Sequence, residues 1–173
     1  MGVTRHGAWK RAARGWVGAC ALVGLAIVAA STPAAALDLK ATGTWPLPID
    51  ARNLRTGAGS DLQDSYESRS DLVRLQITGG GAKKTWRVDL HRTDTNWQRD
   101  LALWARRSSP ADGNASASGG ETYQMVDNID RTLFTGVGTN TQIYVQLKLS
   151  GVSLRVPPGI YATTIVYTVV ETL

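Results

Sequence analysis

Three stretches of this chain alternate apolar and polar residues with a period of two, and none carries a helical stripe longer than about two turns. Leu72–Thr78 sets Val73, Leu75 and Ile77 on one face and Arg74 and Gln76 on the other. Thr85–His91 sets Trp86, Val88 and Leu90 inward and Arg87, Asp89 and His91 outward. Gln142–Leu149 aligns Ile143, Val145, Leu147 and Leu149. Such alternation is what a sheet needs when one face is buried and the other is wet. A fourth stretch, Ile160–Val170, is rich in Thr, Val, Ile and Tyr, which suit a pleated surface.

Shorter strands are expected near residues 37–44, 47–54, 101–107, 121–126 and 131–135. Gly79-Gly80-Gly81 reads as a hairpin turn, because glycine takes the positive φ of tight turns. Residues 110–120 read as a polar loop, and residues 63–70 as a short helix or a loop. The expectation is an all-β fold: a single antiparallel sandwich, Ig-like or pilin-like, of eight or nine strands, with a barrel as the alternative. It occupies residues 37–173.

Residues 1–36 read as a signal peptide. Arg5, Lys10, Arg11 and Arg14 precede an apolar run from Val17 to Ala30, and Ala34-Ala35-Ala36 supplies a small-residue cleavage site. The run is too short for the roughly 20 residues of a spanning helix, so no transmembrane segment is expected after cleavage. The whole chain has 19 basic and 14 acidic residues, net +5. The four basic residues of the export segment leave 15 against 14, net +1. A nearly neutral domain argues against a nucleic-acid partner. Cys20, the one cysteine, lies in the export segment, so the domain is expected to hold no disulfide and no thiol chemistry.

Catalytic signals are sparse. His91 is the one histidine after residue 36, and no G-x-S-x-G elbow is present. The pair Asp89 and Asp100 is the kind a glycosidase would require, but nothing singles it out. Enzymatic activity and a cofactor are not expected. Asp61, Asp64 and Glu67 form one oxygen-rich cluster, and Asp127, Asn128 and Asp130 another. Asp127 and Asp130 are weak calcium candidates, because Ca²⁺ takes six to eight oxygens and aspartates also build turns. Asn114-Ala115-Ser116 is a glycosylation sequon. Trp97, in a polar turn, and Trp104, on a strand, are candidates for exposed rings that stack on sugars, with Arg106 beside them. Arg99, Arg106 and Arg107 read as cation–π partners or a solvated face.

The run Pro157-Pro-Gly-Ile-Tyr-Ala-Thr-Thr-Ile-Val-Tyr-Thr-Val-Val170 resembles the closing strand of secreted pilin-like sandwiches of the spore coat protein U type. The residues after Ala36 lack the cysteine pair common in such subunits. The resemblance implies a fibre or coat subunit that exchanges a strand with itself or another surface subunit, by β-augmentation. Residues 37–44 are the candidate donor, or else an ordinary first strand. The expected role is therefore structural or adhesive, secreted or at the cell surface, with polysaccharide binding as the alternative. Mass spectrometry of the exported protein is expected to find Leu37 at its N-terminus.

Overall fold

The computed structural model describes residues 36–113, 115–139 and 141–172. The export reading of residues 1–36, all but Ala36, and Asn114 of the sequon lie outside them. The ten strands are β1 (Asp38–Thr42), β2 (Ser65–Glu67), β3 (Val73–Thr78), β4 (Thr85–Asn96), β5 (Ala102–Arg107), β6 (Ser116–Ser118), β7 (Gln124–Val126), β8 (Arg131–Val137), β9 (Thr141–Ser150) and β10 (Ala162–Thr172). They form two antiparallel sheets. One runs β1-β3-β9-β5-β7, with β2 also on β9; the other runs β10-β4-β8-β6. The fold is a β-sandwich.

The alternation decides which faces meet. Val73, Leu75 and Ile77 of β3, Leu103 and Ala105 of β5, and Ile143, Val145 and Leu147 of β9 are buried. They pack against Trp86, Val88 and Leu90 of β4 and Phe134 of β8. Trp86 has no exposed surface. Its ring meets Phe134 edge-on, with centroids 6.1 Å apart and planes at 79°, a favoured aromatic geometry. A bulge between Val88 and Asp89 shifts the register against β8 and allows the adjacent Leu133 and Phe134 both to be buried.

Five expectations need correction. Gly79-Gly80 is not a hairpin turn: β3 and β4 lie in different sheets. From β4 onward each strand lies in the sheet opposite its predecessor, and no two consecutive strands pair among the described residues. Glycine serves an arch between sheets as well as a hairpin, so the turn alone cannot choose. Residues 47–54 form no named strand. Pro46 and Pro48 lack the N–H that a ladder needs, and the chain ends in a 3-10 turn, Ala51–Asn53, capped by Asp50. Residues 63–70 hold β2, and the loop at residues 110–120 holds β6; both have only three residues, too few for periodicity to register. Asp89, although outward in the alternation, is buried, accepting hydrogen bonds from Arg87 and Thr132.

Gly136 lies opposite Trp86. A Cβ there would approach the Trp86 ring to 2.2 Å and the Ser116 carbonyl to 2.5 Å. Gly136→Ala is therefore expected to destabilise the fold by about 1–3 kcal/mol in denaturant unfolding. Gly81→Ala, where nothing lies within 4 Å, is expected to change it by less than about 0.5 kcal/mol.

Candidate functional site

β1 and β10 are edge strands that approach each other on one side of the sandwich. Between them the core is not closed. A groove of about 1380 Å³ opens there, floored by Leu101, Leu149 and Val152 and walled by Trp45, Leu47, Ile165 and Tyr167. Its walls follow from local sequence. Residues 43–50 run extended with Trp45, Leu47 and Ile49 turned toward the second, smaller core cluster. Pro157-Pro158-Gly159 ends the opposite loop and delivers the chain to β10. Ile160, 86% exposed, and Leu154, 63% exposed, stand on the rim. The Tyr167 hydroxyl has no hydrogen-bond partner among the described residues, and burial pushes its phenol well above the ordinary value.

Asp61 pins the rim. Its carboxylate accepts from the backbone N–H of Leu154 at 2.7 Å and of Leu62 at 2.8 Å. These bonds hold the carboxyl below its ordinary value. The Asp61, Asp64 and Glu67 cluster is thus spread over a loop clamp and β2.

The structure separates the two candidate tryptophans. Trp97 is not an exposed stacking ring. The turn after β4 folds it onto both core clusters, its Nε1 donates to the Leu101 carbonyl at 2.9 Å, and the Arg92 guanidinium lies 5.0 Å from its ring. Trp104 lies on the opposite face of β5 from the buried Leu103 and Ala105, on the outside of the six-stranded sheet, and donates to Ser150 Oγ at 2.8 Å. Arg106 shares that outer face, bound to Gln146 Oε1 at 2.8 Å and 4.8 Å from the Tyr123 ring. Arg107 does not belong to a solvated face. It follows Leu103 and Ala105 inward, its side chain is 5% exposed, and it donates to the carbonyls of Gly119 and Ser109 and to Glu121. Arg99 stays exposed beside Asp100.

The calcium candidates take separate partners. Asp127 pairs with Arg131 at 2.8 Å, and that guanidinium, helped by the Ile129 N–H, holds its carboxyl below the ordinary value. Asp130 lies 2.7 Å from His91 Nδ1. Among the described residues no group of three His, Cys, Asp or Glu gathers as a metal site. Asp89 and Asp100 are engaged separately, with Arg87 and Arg99.

Sequence reasoning missed the groove walls. Their signal is present: Leu37, Leu39, Ala41, Gly43, Trp45, Leu47 and Ile49 place an apolar or small residue at every second position. The prolines hide it by dividing the run. Tyr123 and Lys148 were also missed, for cross-strand register alone brings them to Trp104 and Arg106.

Because the Asp61 carboxyl is depressed in the folded state, its clamp is in place above the ordinary value of 3.8 and is lost as pH falls through the depressed one. Hydrogen exchange at the Leu154 amide is expected to accelerate over that acid range, and at neutral pH in Asp61→Ala. The chain matches no protein-family model, no curated protein and no solved structure.

Proposed function

We propose that this chain is a non-enzymatic, exported β-sandwich with a structural or adhesive role at the cell surface, a subunit that accepts an extended strand from a second copy along β10. The observation that carries this reading is the free edge of β10 beside the open groove. β10 is eleven residues long and contains no Pro, Gly or Lys and one charge, Glu171. Soluble sandwiches protect such edges with prolines, lysines or bulges, because an exposed ladder of N–H and C=O groups recruits another strand. An incoming strand would pair its main chain with β10 and lower alternate side chains into the groove.

The chain contains a segment of the required pattern in residues 37–49. In its own molecule that segment is used: Asp38–Thr42 pairs with β3, as an ordinary first strand does. However, β1 is five residues long and mostly exposed, so its release sacrifices few buried contacts. The exchange of an identical element between protomers is a low-cost route to assembly. The resemblance of residues 157–170 to pilin-like closing strands supports the same reading, and the three-zone N-terminus supports export. The non-enzymatic part rests on the engagement of His91, Asp89, Asp127 and Asp130 with structural partners.

Sedimentation and electron microscopy of the exported protein test this proposal. Dimers or fibres are expected at about 100 μM. Ile160→Lys with Leu154→Lys, on the exposed rim, is expected to shift them to monomer while changing stability by less than about 0.5 kcal/mol. A wild-type protein that stays strictly monomeric and forms no fibre would sink the idea.

A further inference from the structure

The outer face of the six-stranded sheet carries a second constellation, remote in chemistry from the groove. Cross-strand register assembles it. Trp104 lies opposite Lys148 on one side and Met125 on the other, Lys148 lies opposite Glu67, and Arg106 lies opposite Gln146. Tyr123 immediately precedes β7, and its ring lies on this face. Both cations converge on its ring, with the Arg106 guanidinium 4.8 Å and the Lys148 Nζ 5.5 Å from the centroid.

What sets Arg106 and Lys148 apart is that both flank one aromatic ring. Arg52, Arg69, Arg87, Arg92, Arg107 and Arg131 each have a carboxylate within ion-pair distance. Arg106 and Lys148 have none within 4.0 Å among the described residues. Glu67 is the direct cross-strand neighbour of Lys148, and it raises the Tyr123 phenol. The Tyr123 hydroxyl is buried close to Glu67 and Arg106, and burial raises its phenol above the ordinary value. Arg106 and Lys148 are diagonal neighbours across β5 and β9, within reach of each other's charge. The shared ring offsets part of their repulsion, and an anion lying between the two would form two charge-assisted contacts.

The site is also held in shape. Arg106 is fixed by two hydrogen bonds to Gln146 Oε1, at 3.0 and 2.8 Å. Trp104 is fixed through Ser150. Beside the indole, Met125 is 46% exposed. An aromatic face flanked by a flexible apolar side chain suits the C–H face of a pyranose ring. Since residues 37–173 carry a net charge of only +1, the positive character is local to this face rather than a property of the whole domain. That distribution favours a glycan bearing spaced carboxylates over a nucleic acid, which selects for a broad basic surface.

We propose that this face binds an acidic polysaccharide, with a sugar ring stacked on Trp104 beside Met125 and a carboxylate held between Arg106 and Lys148. Trp97 takes no part, being folded onto the core clusters. The site does not depend on strand pairing at β10.

Affinity electrophoresis and tryptophan fluorescence of the exported protein provide the test, with polygalacturonate, dextran and a single-stranded oligonucleotide as probes. Polygalacturonate is expected to retard the protein and shift its emission. Retardation is expected to weaken as salt rises from about 50 to 500 mM. Trp104→Ala and Lys148→Ala are each expected to weaken binding by at least about tenfold, with thermal unfolding and the assembly state unchanged. The rim variant Ile160→Lys is expected to bind like wild type, so a failure of strand exchange leaves this result readable. No retardation by polygalacturonate overturns the proposal. So does equal retardation by dextran, preference for the oligonucleotide, or binding unchanged in both Trp104→Ala and Lys148→Ala.

Discussion

Trp86 sits between the two sheets with its whole side chain buried, its ring edge-on to Phe134 and packed over Gly136. Its indole N–H donates to the Gly138 carbonyl, so even its one polar atom is satisfied within the core. Removing a buried ring of this size costs about 3–5 kcal/mol, a large share of a domain's net stability. The glycine opposite is part of the same device, because only a residue without a Cβ leaves room for the indole. Since the chain switches sheets at every connection after β3, each half of the fold is held to the other through this core. No disulfide is available to residues 37–173 to do so instead.

The core is well closed around Trp86 and Phe134 and open toward β1 and β10. The difference lies in the backbone. In the closed region, strands pair on both sides and the alternation is continuous. On the open side, Pro46 and Pro48 prevent residues 43–50 from building a ladder, and the Pro157-Pro158-Gly159 turn delays the start of β10. Apolar side chains line the gap, yet no strand bridges it. A long β-branched edge next to a partly covered core is costly for an isolated molecule, which is why strand acceptance is the reading the geometry favours.

The charged residues divide by environment. Arg107 is nearly enclosed, and three oxygen acceptors around it replace water. Arg131, Arg52 and Arg69 hold neighbouring aspartates in exposed pairs worth little to stability. Arg106 and Lys148 have no carboxylate within 4.0 Å among the described residues and flank the Tyr123 ring together. The ordinary ion pairs organise loops, whereas the unpaired cations leave capacity for a ligand.

The period-two alternation in residues 72–78, 85–91 and 142–149 was sufficient to determine strands, their inward faces and an all-β sandwich, because side chains on a strand must alternate and apolar ones must leave water. It located Trp86 in the core. It carried no information on which sheet each strand joins, since an arch and a hairpin both keep the apolar face inward. Two three-residue strands were invisible for want of length. Trp97 and Arg107 were misjudged because polarity in sequence does not reveal whether a turn folds back or a partner waits there. The groove, and the meeting of Trp104, Arg106, Tyr123 and Lys148, were decided by tertiary structure alone: both depend on pairing between strands far apart in the chain, and register across a sheet is set by the whole core rather than by any one segment.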